Sequence, residues 1–246
     1  MAYDYIDGKK RIKDILNNKL EIIEANELPS DDNFTFDNGY YSWVTALFVD
    51  IRDSSSLFSD GDKVKVSKII RSFTSETIEI LRGSDNLREI GIRGDCVYAI
   101  YTTPFQIDIY DVTNRAYYIN TFMKMINQLL INKNYPTINV GIGIATAQEL
   151  VVKAGRKGVG INNKVWIGDA VTKASNLSSL GNKNSIRVIV LSSLTYSNII
   201  DKMVKDSGEK AKTWFTKKDD EDYGTYYHCE LLKTDFNNWI DEGMKE

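Results

Sequence analysis

An α+β fold, a ferredoxin-like antiparallel sheet with helices packed on it, is what this sequence predicts, and three observations predict it. Apolar runs of strand character alternate with stretches of helical periodicity along the whole chain. Their order is helix, β, α, β-hairpin, α, β, β, α, β, α, β, β, which contains the β-α-β-β-α-β unit of that arrangement. The composition, 42% hydrophobic and 26% charged over 246 residues, is that of a globular chain able to bury a core of moderate size.

Residues 5 to 25 carry Ile12, Ile15, Leu16, Leu20 and Ile23 on one stripe, the spacing of an amphipathic helix. ELPSDDNFTFDNG, polar and turn-rich, reads as an extended lead-in rather than a core element. WVTALFVDI is a continuous apolar run ending in Asp50, which makes it a buried strand. Val66, Ile69, Ile70, Phe73, Ile78 and Leu81 then recur at helical spacing before GSDN closes the segment. LREIGI and VYAIY flank Arg93, Gly94 and Asp95, a hairpin with its tip at Gly94 and Asp95. A long helix from about Ile107 to Leu130 precedes Pro136 and TINVGIGIATA, where apolar residues alternate with glycine and small residues; a separate strand, ELVVKA, is expected to pair with it. IGDAVTKASNLSSLG places Ala170, Val171, Ala174 and Leu177 on one helical face and stops at Gly181, with Asp169 as the expected cap. IRVIVL, a short helix, KTWFTKK, TYYHCELL and a last short helix near residues 236 to 241 complete the chain. With no repeat, low-complexity tract or linker, one catalytic-type domain spans 1–246: helix and lead-in at 1–42, core at 43–232, C-terminal helix at 233–246.

The 31 basic and 34 acidic side chains leave a formal charge of -3, too small a bias to indicate a nucleic-acid or membrane-surface partner. No run approaches the ~20 apolar residues of a membrane span, and the polar start lacks the apolar stretch of a secretory signal. The cytoplasm is the expected location. Cys96 and Cys229 have no metal-ligand spacing and should stay reduced there. A single histidine, His228, excludes a two-histidine zinc site and reads as structural. Carboxylates and hard cations are therefore the expected tools.

Asp50 at a strand end and Asp95 at a hairpin tip can meet at one edge of such a sheet. Two carboxylates side by side repel, and a divalent cation relieves that; oxygen ligands suit Mg²⁺ or Mn²⁺, which keep positions open for substrate phosphates. The alternative is that Asp50 caps the next turn and Asp95 is a turn residue. Ser54 or Ser55 can cap a short helix whose free N–H groups cradle phosphate, or simply terminate the turn.

Three separated segments, in order, resemble one family. ALFVDIRDSSSLF resembles the first metal-binding strand and turn of the class III nucleotidyl cyclases, IRGDCVYAIY their Gly-Asp hairpin, and VGIGIATAQELVV with VWIGDAVTKASNLSSL their Gly-Ile-Gly strand and Ile-Gly-Asp-Ala-Val helix. The likeness covers about residues 44 to 232. It implies a reaction in which the ribose 3′-oxygen attacks the α-phosphate of a nucleoside triphosphate, releasing pyrophosphate, with two Mn²⁺ or Mg²⁺ ions per site. By the resemblance Asp50 and Asp95 are the catalytic, ion-binding carboxylates, assisted by the Ile51 carbonyl, and the turn from Arg52 through Ser54 and Ser55 cradles the triphosphate. Lys218 is the expected phosphate lysine, with Lys217 its competitor. Thr172 and Asn176 stand where most members hold an asparagine and an arginine, so the cation that neutralises the transferring phosphate is missing; Lys173, Arg156 and Lys157 are candidates to replace it. The resemblance also implies a homodimer, with carboxylates from one subunit facing base- and phosphate-contacting residues of the other.

At the positions that read the purine edge in that family stand Gly91 and Val165, so no purine-reading pair survives. Arg93, two residues on, shares the strand face of Gly91 and can donate to a pyrimidine carbonyl or instead bind phosphate or water. This pattern, with the lead-in TFDNGYYSWV, resembles the pyrimidine cyclases of bacterial anti-phage signalling, in which an aromatic residue stacks on the base; Tyr40, Tyr41 and Trp43 are candidates, or are simply core. The expected substrate is UTP, with CTP second; the rival readings are an adenylate cyclase and a nucleotide-binding module without turnover.

Overall fold

The computed structural model describes residues 2–59, 62–158 and 160–245. Strands β1 (Glu21–Glu24), β2 (Asn38–Ile51), β3 (Leu87–Arg93), β4 (Cys96–Thr102), β5 (Val140–Arg156), β6 (Ile161–Gly168), β7 (Ile189–Ser192), β8 (Thr216–Asp220) and β9 (Gly224–Cys229) form one sheet. Its order is β3-β4-β2-β5-β7-β9-β8; β1 joins β2 and β6 pairs with β5. Pairing is antiparallel except for β1 with β2 and β5 with β7.

Alternation along β2 divides the molecule. Leu47, Val49 and Ile51 enter the larger core, built with α3 (Lys63–Arg82), α4 (Gln106–Asn132) and α6 (Ser193–Ser207). Val44, Ala46 and Phe48 face the other way, under α5 (Asp169–Leu180). Helix α3 follows the expected spacing: Asp62 caps it by accepting from the N–H of Val64 and Lys65, and Ile69, Phe73 and Leu81 are buried. Each such side chain contributes roughly 1.5–3 kcal/mol.

The Gly-Ile-Gly pattern of β5 has a packing cause. Ile142 and Ile144 fill the large core while Gly141 and Gly143 lie beneath α5. A Cβ on Gly143 would stand 2.1 Å from the Ala174 carbonyl, and one on Gly141 would stand 2.2 Å from that of Ser178. Only glycine permits this approach.

Several expectations are corrected. The first helix, α1 (Tyr5–Asn17), stops well short of residue 25, because Asn18 turns out, bonds Asp37 and hands the chain to β1. Its apolar stripe, including Ile15 and Leu16, is exposed. The lead-in is not wholly peripheral: Leu28 and Phe34 are buried with Tyr40 and Val151. The two strands expected after Pro136 are one 17-residue strand, β5, whose hairpin partner β6 the polar run INNK conceals. A 3-10 turn, Glu209–Trp214, occupies the start of the strand expected at 212–218. The remaining helices are α2 (Ser54–Ser59) and α7 (Thr234–Asp241). Among the described residues no helix is long and apolar enough to cross a membrane.

Candidate active site

The β3–β4 turn is the two-residue hairpin expected, with Gly94 at φ 65 in the first turn position, as a primed turn requires. This places Asp95 one residue before Cys96, and Cys96 pairs with Asp50 across β2 and β4. Asp50 and Asp95 therefore converge at one end of the sheet. Burial pushes the Asp50 carboxyl above its usual range, the Arg52 guanidinium opposes this, and the negative charge of Asp95 adds to it. The same burial, with both carboxylates nearby, drives the Cys96 thiol up to about 12, so it stays protonated. An Asp50 carboxylate so destabilised, with the Asp95 carboxylate and the Ile51 main chain beside it, fits a hard divalent cation, which neutralises the charge. Among the described residues no group of three or more histidine, cysteine or acidic side chains is placed to hold a metal ion, so further ligands would be main-chain and substrate oxygens, as Mg²⁺ tolerates.

Arg52 departs from the expected phosphate cradle. Its side chain is only 5% exposed, and Nη2 donates to Asp50 Oδ2 at 2.9 Å and to the Ser178 carbonyl at 2.6 Å. Nη1 donates to the Ser179 carbonyl at 3.0 Å. The guanidinium thus fixes Asp50 and closes the C-terminal end of α5, where orphan carbonyls favour a cation. Asp53, at φ 53, then turns the chain into α2, leaving Ser54 and Ser55 at its first turn. Lys183, just beyond α5, is a cation that the sequence motifs did not single out; its charge reaches Asp50 and favours the ionised form.

Helix α5 buries Ala170, Ala174, Leu177 and Ser178. Thr172 and Asn176, one turn apart, lie on the opposite, exposed side. The helix is not capped by Asp169. Asp169 is its first residue, the preceding Gly168 has no side chain, and the buried Glu149 of β5 reaches across to accept from the Ala170 N–H. Glu149 Oε2 has no partner, and burial pushes this carboxyl above its usual range. Lys218 on β8 stands opposite Tyr226, which packs with Leu177 of α5 and Val190. Residues directly opposite share a face, so Lys218 belongs to the α5 side of the sheet. Lys217 points the other way and pairs with Asp219 at 3.1 Å. Within one chain, however, β8 and the β3–β4 hairpin are opposite edges, so Lys218 and Asp95 are not brought together. Of the replacement cations considered, Lys173 flanks the exposed side of α5, whereas Arg156 and Lys157 lie at the far tip of the β5–β6 hairpin.

The base-side residues need the most correction. Tyr40 is buried against Phe34, ring centroids 4.9 Å apart, and is core. Tyr41 and Trp43 alternate onto the face opposite Asp50. Val165 is exposed, its neighbour Trp166 turning inward instead. Gly91 and Arg93 do share the α5 face, but the space over Gly91 is filled: a Cβ there would stand 2.6 Å from the Tyr98 hydroxyl. Tyr98 stacks on Phe48, centroids 5.2 Å apart. Its hydroxyl donates to Glu89 Oε1 at 2.8 Å, and Trp166 Nε1 donates to Glu89 Oε2 at 2.7 Å. Nothing in the motifs pointed to Glu89, Tyr98 or Trp166. His228 is structural as expected: buried, its Nδ1 accepting from the Arg187 N–H at 3.2 Å.

Known proteins are similar to this chain in fold and sequence. Residues 37–215 match the model of the adenylate and guanylate cyclase catalytic domain. A uridylate cyclase of Treponema porcinum is 56% identical over 244 residues, covering 99% of this chain and 83% of that protein. A uridylate cyclase of Gulbenkiania mobilis is 29% identical, covering 98% of this chain and 97% of that one. The crystal structure of the adenylyl cyclase CyaB from P. aeruginosa superimposes with a TM-score of 0.62 at 19% identity, over 78% of this chain and 95% of that one. With paired carboxylates at the end of such a sheet and a matching domain over most of its length, the chain belongs to the class III nucleotide cyclases, the family of the adenylate and guanylate cyclase catalytic domain.

Proposed function

We propose that this cyclase is a homodimeric uridylate cyclase, converting UTP to the 3′,5′-cyclic monophosphate and pyrophosphate, with CTP as second substrate and Mn²⁺ or Mg²⁺ as cofactor. The observation that carries the reading is the convergence of Asp50 and Asp95 through the Asp50–Cys96 pairing. The names of the two relatives support the base, as does the loss of a purine-reading side chain at Gly91. Resemblance to the anti-phage branch supports a second-messenger role for the product in anti-phage defence.

In the reaction the ribose 3′-oxygen forms a bond to the α-phosphorus, the bond to the β-phosphate bridging oxygen breaks, and the 3′-hydroxyl proton is lost to solvent. Bound divalent ions would supply charge for the developing 3′-oxyanion and the leaving pyrophosphate. Asp50, Asp95 and the Ile51 carbonyl would hold them, and Arg52 would keep Asp50 ionised and correctly turned. Main-chain N–H groups at the Ser54 and Ser55 turn would bind phosphate. Thr172 and Asn176 on α5 and Lys218 on β8 would orient ribose and triphosphate. Because Lys218 and Asp95 lie at opposite edges of one sheet, two chains joined face to face across a two-fold axis would complete each site. Arg93 would donate to a base carbonyl; uracil offers an acceptor where cytosine offers an amino donor.

The test incubates the purified protein with each of the four triphosphates and Mn²⁺ and identifies product by mass. Cyclic UMP should dominate. A purine cyclic nucleotide as sole product would overturn the base assignment, and no cyclic product from any triphosphate would overturn the activity.

A further inference from the structure

We infer that Tyr98, clamped by Glu89 and Trp166, is the wall that limits the base site to a single ring and excludes purines. This rests on the cyclase reading of the same face and names what enforces its substrate class. Three independent features build the clamp.

The first is the register of β3, unbroken from the hairpin turn to Glu89. Leu87 pairs with Tyr101 and Glu89 with Ile100, so Arg88 is an extra residue in β3. Tyr101 belongs to the large core and Ile100 to the α5 side. Glu89 keeps the register that the hairpin turn sets through Arg93–Cys96, Gly91–Tyr98 and Ile90–Ala99, so its carboxylate lies on the face of Gly91 and Tyr98; the bulge behind it lets Leu87 oppose Tyr101 on the core side. What the bulge re-aims is Leu87, which it returns to the core just behind Glu89.

The second is the reciprocal fit of Gly91 and Tyr98, cross-strand partners in β3 and β4. The phenol tip lies where any side chain at position 91 would begin, so ring and glycine require each other. A glycine here is therefore a place taken by Tyr98, stacked on Phe48 and unable to swing towards β2. The third feature is the strap that holds the clamp. The β5–β6 hairpin folds back over this face so that Trp166 reaches Glu89, and Lys164 Nζ donates to the Arg88 carbonyl at 3.0 Å, the bulged residue itself. Both oxygens of Glu89 accept from ring-borne donors, which fixes the phenol in depth. A six-membered ring fits in front of a wall so placed; the fused second ring of a purine meets it.

The test compares wild type with Tyr98→Ala, Tyr98→Phe and Trp166→Phe on UTP, CTP, ATP and GTP with Mn²⁺, reading KM and kcat separately. Calorimetric affinities for UTP and ATP are measured alongside. Tyr98→Ala should move the purine-to-pyrimidine ratio of kcat/KM about tenfold or more towards purines, mainly through KM, and Trp166→Phe about threefold the same way. Tyr98→Phe, which keeps the ring and loses the tether, should fall between wild type and Tyr98→Ala. An unchanged ratio in a folded Tyr98→Ala chain overturns the wall and leaves the cyclase reading standing. If wild type forms no cyclic product, that reading fails and affinity decides. UTP held more tightly than ATP, with the difference erased by Tyr98→Ala, supports the wall; equal affinities in wild type overturn it. Should Tyr98→Ala not fold, Trp166→Phe, which removes the N–H to Glu89 together with one ring of the indole and leaves Tyr98 in place, carries the same decision.

Discussion

Replacing Arg52 by methionine separates its role in Asp50 from any role in phosphate binding. Methionine keeps the buried stem and removes the guanidinium, which donates to Asp50 Oδ2 at 2.9 Å and to the Ser178 and Ser179 carbonyls at 2.6 and 3.0 Å. Breaking a buried ion pair from one side costs ~3–5 kcal/mol. The Asp50 side chain is 29% exposed, so water recovers part of this, leaving about 3 kcal/mol. At ~2–4 °C per kcal/mol for a chain of this size, the melting temperature should fall by about 6–12 °C. The charge effect is separate. Arg52 lowers the Asp50 pKa against burial and Asp95, so without it the carboxyl needs a higher pH to ionise and hold a cation. The acid limb of the pH–rate profile should move upward, and Arg52→Lys should fall between. Melting by scanning fluorimetry and cyclase rates across pH read both effects. A melting temperature within ~2 °C of wild type, or an unmoved acid limb, would refute the assignment of Arg52 to Asp50.

Glu149 predicts a second pH effect. Its folded pKa lies above the usual carboxylate value, so its contribution is fully present below about 4.3, the unfolded value, and is lost as pH rises through the raised folded value. Wild-type melting temperature should decline over that window; Glu149→Gln, which still accepts from the Ala170 N–H, should flatten the decline, and parallel curves would contradict it. A composite site predicts complementation: Asp95→Asn and Lys218→Ala chains, each weakly active alone, should regain about a quarter of wild-type activity when mixed, the fraction set by random pairing with one intact site in half of the dimers. Failure of the mixture to exceed its components would count against sites shared between subunits.

How far the sequence reached is best seen residue by residue. Asp50, Asp95 and the hairpin tip were legible because a long apolar run ending in a carboxylate and a Gly-Asp turn are local signals. Helix α5 was legible for the same reason, and its pairing with Gly141 and Gly143 explains why small residues punctuate β5. What stayed hidden depends on contacts distant in sequence. Arg52 reads as a turn residue until Ser178 and Ser179 are brought to it. Tyr98 sits in VYAIY, indistinguishable by pattern from Tyr101, which is core. A bulge at Arg88 shifts alternation by one, so period-two reading carried back from Gly91 assigns Leu87 to the wrong face. Asp169 looked like a cap because nothing local shows that Glu149 fills that place. Helix α1 looked longer because its apolar spacing runs on into β1, where Ile22 and Ile23 continue it in strand form.

The central claim is that Asp50 and Asp95 jointly hold divalent ions in front of a triphosphate. Titrating Mn²⁺ into wild type, Asp50→Asn and Asp95→Asn, each with and without UTP, and following free Mn²⁺ by electron paramagnetic resonance tests it most directly. Wild type should bind Mn²⁺ far more tightly when UTP is present, and each asparagine variant, folded as judged by circular dichroism, should lose that binding by about 100-fold, on the scale of ~3 kcal/mol for a charged ligand lost. Mn²⁺ binding that is the same in all three proteins would contradict the account.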